Sequence, residues 1–448
     1  MYASGCALAR AAGFDHVSDD DFSRVTIAQA WAHAPRLDPS GTSWLPFPFW
    51  SLGAVMAVFG RSLAVARVAS IVLAAAAATT PYLALRAAAI PRGRALLASA
   101  FALGTPWSLW LGAATVPESF TATLTAAGVF GLTAARFHEA PATEVDDDLG
   151  DGGASSGSLV GARTAILSAI AIAAACLSRY EPWPVAAVLA TVLALRAARA
   201  SSSGHSRKLL AGLTALCVLG PLLWMAWNAH AHDGPLHFFR RVSSFKRALG
   251  DGATDVTSAL LLYPTLLFTT RPEIAIPTLF LVPAALRDPV LRRRWGIPLL
   301  AAAAQVAFLS YGNARDGAPA HHSERALLGT MVILALFTAD AGMTKLHHLS
   351  LEGRTLAAKA GAAIFGIAWL ISSVRGSDPP GRSASEDRSE QIARGEKLRA
   401  DGVKAIAVTP CAYEHFALIA AYGAPENATI DRNAGAGLPL ECPRVEPR

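Results

Sequence analysis

Long apolar runs, separated by short polar stretches, recur along the whole chain. A helix that crosses a bilayer needs about 20 mostly apolar residues. That criterion predicts spans at 66–86, 94–112, 117–136, 163–179, 182–199, 208–228, 273–287, 295–312, 325–343 and 357–374. The run VTSALLLYPTLLFTT at 256–270 is also apolar, and it reads as a re-entrant or interfacial helix because a full span there would spoil the charge pattern of the loops. The pattern therefore predicts an all-α polytopic membrane protein of about 10–11 transmembrane helices.

Arginines and lysines cluster after every second span: Arg86, Arg92 and Arg94, then Arg136, Arg196 to Lys208, Arg287 to Arg294, and Lys345, Arg354 and Lys359. Positive loops stay in the cytoplasm. The N-terminal segment, the loops near 113–117, 179–182, 229–272 and 313–324, and the tail from 375 are then expected outside an inner, or plasma, membrane. An outward position for residues 14–65 requires one more span upstream, which implies a truncated first helix. The acidic, Gly/Ser-rich stretch 137–162 reads as a cytoplasmic linker. The tail alternates a charged helix (384–404), a short strand (KAIAVTP) and a helix (AYEHFALIAAYG), the makings of a small outward-facing α/β module. Three parts follow: 1–65, 66–374 and 375–448.

Composition narrows the function. The chain is 53% hydrophobic and 16% charged, so its net charge of +6 resides in loops that orient a membrane protein; nucleic acid is excluded as a partner. The five cysteines (Cys6, Cys176, Cys217, Cys411, Cys442) lack the spacing of a zinc site, although Cys411 and Cys442 could pair on an oxidising side.

Candidate chemistry begins with Asp19, Asp20 and Asp21, immediately before a predicted helix. Adjacent like charges raise the proton affinity of at least one member, which suits a general base, and three carboxylates could equally hold a divalent cation. Acidic residues also favour any helix N-terminus. Asp146 to Asp148, in the linker, have the same composition and show that context decides. Context comes from charges beside apolar spans, which are costly there: Glu118 in TVPESF, Arg179 and Glu181 in LSRYEPW, and His321, His322, Glu324 and Arg325 in HHSERALL. The stretch LHFFRRVSSFKR, with Arg240 and Arg241 among aromatics, reads as an interfacial helix for membrane lipids or for a donor phosphate.

These residues stand in an order that resembles the GT-C superfamily of membrane glycosyltransferases, in particular the dolichyl-phosphate-mannose protein mannosyltransferase-like branch. The resemblance rests on Asp20-Asp21-Phe22-Ser23-Arg24, TSWLPFPFW, Pro117-Glu118, Arg179-Tyr180-Glu181 and Glu324-Arg325, and covers roughly residues 18–345. It implies a GT-C-like fold and inverting transfer of a sugar from a polyprenyl-phosphate donor to a glycan, lipid or protein acceptor. Asp20 would be the base, with Asp21 next and Asp19 the register alternative. Arg179 and Arg325 would meet the donor phosphate, with Glu118 and Glu181 orienting them or binding acceptor. The alternative is a transporter or lipid flippase that uses the same charges as a translocation path; it predicts internal repeats, and none is evident.

Overall fold

The computed structural model describes residues 1–88, 90–134, 154–200, 204–248, 255–315, 323–347, 387–410, 413–430 and 444–447, with isolated positions between 353 and 367. The predicted span 357–374 lies largely outside these, as do Cys411, Cys442 and the first part of the linker. The last residues of that linker, from Ala154, are helix rather than loop.

Two compact units emerge. One gathers Met1–Ala76, Gly104–Phe120 and Ser373–Arg448; the other gathers Ala77–Leu103 and Thr121–Ser372. The N-terminal segment and the tail, 300 residues apart in sequence, thus share the first unit.

That unit contains α1 (Tyr2–Ala11), α2 (Asp20–His33), α3 (Phe47–Phe59) and the start of α4 (Leu63–Ala87). In α2, Phe22, Val25 and Ala28 fall on one side at helical spacing. They are buried with Leu52 and Met56 of α3 and Ala66 and Ala69 of α4. The tail completes the same core through Ile392 and through Ala417, Ala420 and Ala421. Two tail helices carry these residues, Ser389–Ala400 and His415–Tyr422. The crossing of the two helices is tight: a Cβ on Gly395 would stand 2.3 Å from the Leu418 carbonyl oxygen. Beyond them a three-stranded sheet forms from β1 (Ile406–Thr409), β2 (Ala428–Ile430) and β3 (Arg444–Pro447), in the order β2-β1-β3. β1 runs parallel to β2, with Ile406 opposite Ala428, and antiparallel to β3. Ile406 and Val408 alternate onto the face that packs against Leu418, Ile419 and Tyr422.

The predicted span 94–112 is broken. Its halves are α5 (Arg92–Leu103) and α6 (Pro106–Ala113), and the Thr105 hydroxyl caps the second half by accepting from the Ser108 N–H at 3.2 Å. Pro106 at the first helical position cannot continue the preceding hydrogen-bond ladder. α7 (Glu118–Ala134) begins at the same place where the sequence put a span.

The second unit holds α8 (Ala154–Cys176), α9 (Pro182–Arg199), α10 (Gly204–Ala231), α11 (His237–Ala248), α12 (Val256–Thr270), α13 (Pro272–Arg287), α14 (Pro289–Ala314) and, after a 3₁₀ turn at Ser323–Leu327, α15 (Leu328–His347). The run 256–270 is the first limb of a sharp bend: α12 and α13 meet at 107° around Arg271 and Pro272. Among the described residues four segments are long and apolar enough to cross a membrane, Leu63–Ala87, Ser206–Ala231, Pro289–Ala314 and Ser323–Leu346, or up to six if each bent pair counts as one. This count covers the described residues alone, and within them some of the expected runs form short helices. At about 1.5 Å per residue a 16-residue helix such as α13 falls short of a ~30 Å hydrocarbon core. Ser323–Leu346 differs from the rest, with 83% of its apolar window buried against 28–44% for the others. It is the inner helix of its unit, and Leu222, Leu223, Leu279 and Phe280 on other helices remain exposed, as lipid-facing side chains would.

Candidate active site

The three consecutive aspartates are not equivalent. Asp19 accepts a two-pronged bond from Arg388, Nε to Oδ1 at 2.8 Å and Nη2 to Oδ2 at 2.9 Å. That is the planar guanidinium–carboxylate geometry that gives the strongest charged pairs. Asp21 points the other way and is 2% exposed. Its Oδ2 accepts from the backbone N–H of Val17 (3.0 Å) and Ser18 (3.3 Å), and its Oδ1 from the N–H (2.7 Å) and hydroxyl (3.0 Å) of Thr115. Three N–H groups thus bind the carboxylate, and the Thr115 hydroxyl divides its proton between it and the Asp21 carbonyl at 2.9 Å. Asp20, the first residue of α2, is half-buried between them. Asp19 and Asp21 thus both help to hold the loop, and the acidic helix end is more than a solvated terminus. The carboxylates diverge, and among the described residues no three His, Cys, Asp or Glu side chains converge as a metal site.

The approach to α2 is fixed by a second network. Asp15 binds Arg67 and receives Arg10 Nη1 on its carbonyl at 2.5 Å, and the ring of buried His16 lies 3.4 Å from its other oxygen. Burial alone would raise the Asp15 carboxyl, but the His16 bond and the charges of Arg67 and Arg10 outweigh it and hold it below its ordinary value. Arg10 is lowered to about 10, by burial and then by the like charge of Arg67, and stays charged at neutral pH. Glu118, three residues past Thr115, is also buried (2% exposed). Its neighbour Ser119 meets the Tyr2 hydroxyl at 2.6 Å, and that hydroxyl donates to the Ser108 carbonyl at 2.7 Å. Asp19, Asp20, Asp21 and Glu118 thus all lie within the first unit.

In the second unit Arg179 forks onto Glu181, Nε at 3.0 and 3.1 Å and Nη2 at 2.5 Å. Between them Tyr180 accepts from Trp224 Nε1 at 3.1 Å and stacks on Phe238 of α11 at 4.5 Å. Trp183 meets the same phenylalanine at 5.3 Å. This aromatic cluster seats α11, on which Arg240 and Arg241 remain exposed, Arg240 donating to the Asp233 carbonyl at 3.0 Å. Arg325 is buried in the 3₁₀ turn that opens the inner helix. His322 and His321 lie outside the described residues.

Lys246, within the basic stretch read as interfacial, turns inward to Asn313 Oδ1 at 2.7 Å, and that amide donates to the Ala259 carbonyl at 2.9 Å. Arg271, Glu273 and Arg388 escaped the sequence reading. Arg271 pairs with Glu273 at the α12–α13 bend, both nearly inaccessible. The rule that selected Arg179 and Glu181, paired charges between apolar runs, applies equally to TRPE and could have found them. For Arg388, in a polar tail, no sequence signal existed.

No protein-family model matches the chain, and no curated protein matches its sequence. A solved structure does match its fold. ArnT from Cupriavidus metallidurans, in a crystal structure bound to undecaprenyl phosphate, superposes with a TM-score of 0.54 over 92% of this chain and 72% of its own, at 14% identity. The fold is of the GT-C type. The chain is accordingly an integral membrane protein whose helices follow a GT-C plan, as the order of charged motifs led us to expect. At 14% identity the likeness extends to the fold and assigns no residue a role.

Proposed function

We propose that the chain is an inverting glycosyltransferase that transfers a sugar from a polyprenyl-phosphate donor to an acceptor at the outer face of the membrane, with Asp20 as general base. The supporting observation is a fold shared, over nearly the whole chain, with an enzyme solved with undecaprenyl phosphate bound. The protein mannosyltransferase-like branch suggested by the motifs remains part of this reading.

The chemistry requires a carboxylate that takes the acceptor hydroxyl's proton as the oxygen attacks the anomeric carbon, while the phosphate departs with its electron pair. Asp20, half-buried at the start of α2, is our first choice for that base, with Asp21 next and Asp19 the register alternative, as the motif resemblance implies. On the donor side, Arg179 and Arg325 are our candidates for neutralising the phosphate, with Glu181 holding the plane of Arg179. Arg240 and Arg241, exposed on an amphipathic helix, would hold anionic lipid headgroups or the donor phosphate.

The test is transfer of radiolabelled sugar from a panel of polyprenyl-phosphate donors by purified protein in nanodiscs. Asp20→Asn should lower turnover by about 10²–10⁴-fold, the usual weight of a general base, with an unchanged melting temperature. Transfer that survives in Asp20→Asn would move the base elsewhere. A well-folded protein that transfers from no donor, yet moves a labelled polyprenyl lipid across a vesicle membrane, would replace the transferase by the flippase reading.

A further inference from the structure

The first unit contains a second feature, distant in sequence from the acidic run. An open cavity of about 560 Å³ is lined by Arg61, Arg399, Lys404, Tyr422, Gly423 and Asn427, among others. Its three cations come from three separate segments: the turn between α3 and α4, the last turn of α16 (Ser389–Ala400), and the stretch before β1.

The wall is built, not incidental. Arg61 is held through its side chain by Glu426 at 2.8 Å and through its carbonyl, which accepts from Gln29 Nε2 at 2.9 Å. Gly423 ends α17 (His415–Tyr422) at φ +83°, in the left-handed region. A Cβ there would meet Arg399 Nη1 at 2.7 Å and the Arg61 carbonyl oxygen at 2.8 Å. Glycine is therefore what lets two basic segments close on one side of the cavity. Tyr422 keeps its hydroxyl on the Val403 carbonyl at 2.7 Å and presents its body as a floor. Glu426 offsets Arg61, but among the described residues the side chains of Arg399 and Lys404 have no hydrogen bond or ion pair. Two cationic side chains thus line one open space.

A neighbouring cavity of about 330 Å³ shares Arg399 and adds Ser62 and Glu396, a hydroxyl and a carboxylate. An occupant spanning both would place an anion against Arg399 and Lys404 and hydroxyl groups near Ser62 and Glu396. Phosphate and carboxylate suit the guanidinium fork; a carboxylate and a hydroxyl suit sugar hydroxyls. We propose that the paired cavities bind a phosphorylated or carboxylated saccharide. That this saccharide is the acceptor, or part of it, rests on the transferase reading above; the binding itself does not.

Calorimetric titration of the full chain in neutral detergent, with glucose 1-phosphate, glucuronate, inorganic phosphate and glucose as probes, tests this directly. Saturable binding of glucose 1-phosphate or glucuronate, tighter than inorganic phosphate and absent for glucose, is expected. Each of Arg399→Gln and Lys404→Gln should weaken it by about tenfold, since each removes a charge-assisted contact to the anion at a solvent-exposed position. Arg399→Lys should recover part of the loss. Both side chains are exposed, so melting temperature should hold and separate lost binding from lost folding. Equal affinity in the double variant, binding of glucose as tight as of its phosphate, or no saturable binding of any anion would overturn the proposal; inorganic phosphate binding as tightly as the sugar phosphate would overturn its saccharide part. Intact transfer without anion binding would refute this site alone, and anion binding without transfer would refute the transferase reading alone.

Discussion

Removing Arg388 should loosen the N-terminus of α2 without touching the apolar core. The guanidinium makes two bonds to Asp19, at 2.8 and 2.9 Å, with side-chain exposures of 8% and 22%. A fully buried pair broken on one side costs about 3–5 kcal/mol, an exposed one under about 1. With one partner nearly buried and the other a fifth open to water, Arg388→Gln should cost about 2 kcal/mol. The figure includes the cost of leaving Asp19 half-desolvated beside Asp20 and Asp21. The clean measurement is a double-mutant cycle of Arg388→Gln and Asp19→Asn, read by reversible denaturant unfolding of the first unit in detergent. Neutralising both partners should recover about 1–2 kcal/mol of the summed single losses. A coupling below about 0.3 kcal/mol, the scatter expected of independent sites, would refute the clamp and with it the assignment of Asp19 to a structural role.

Other outcomes follow from the same geometry. Asp21→Ala should destabilise by about 2–4 kcal/mol, because the N–H groups of Val17, Ser18 and Thr115 lose their acceptor; a loss confined to turnover would mean that Asp21 acts on substrate. Asp15, whose carboxyl lies below its ordinary value, contributes stability that is present above about pH 4, its unfolded value, and is lost as the pH falls through the folded one. The melting-temperature gap between the protein and Asp15→Asn should therefore shrink towards acid, and a gap constant from pH 6 to pH 3 would contradict the network with Arg10, Arg67 and His16. Gly395→Ala should destabilise by about 1–3 kcal/mol in the same unfolding assay, since the added methyl would press on the Leu418 carbonyl oxygen at 2.3 Å. A gain in stability, as helix propensity alone predicts, would show that the two tail helices lie further apart.

Much of the fold was legible because it rests on local rules. Apolar runs gave most of the helices, the mixed aromatic and basic pattern gave α11, and the alternation in KAIAVTP gave β1. Breaks in the helices were less so: Thr105-Pro106 carries a cap and a stop signal, yet a window that averages hydropathy over 94–112 passes across it. The site was legible in composition and not in roles. Three aspartates in a row share one sequence environment, and only the tertiary partners Thr115 and Arg388, 94 and 369 residues away, distinguish them. Periodicity says which face of α2 is buried; it contains nothing about a distant arginine arriving at its end. The same limit hid the cavity beside Gly423, whose walls come from segments more than 300 residues apart.

The docking of the tail on α2 also sets an order of events during synthesis. Gln29 donates to the Ala420 carbonyl at 2.7 Å across 391 residues, and Ala28 shares its core with Ala417 and Ala421. A ribosome adding about 5–20 residues per second needs roughly 20–80 s to travel that distance. During that interval α2 and its aspartates stand without the helices that cover them and without Arg388. The acidic end of α2 is thus completed only once the tail has been made, 369 residues after Asp19 itself, and the nascent chain carries this face unformed until then.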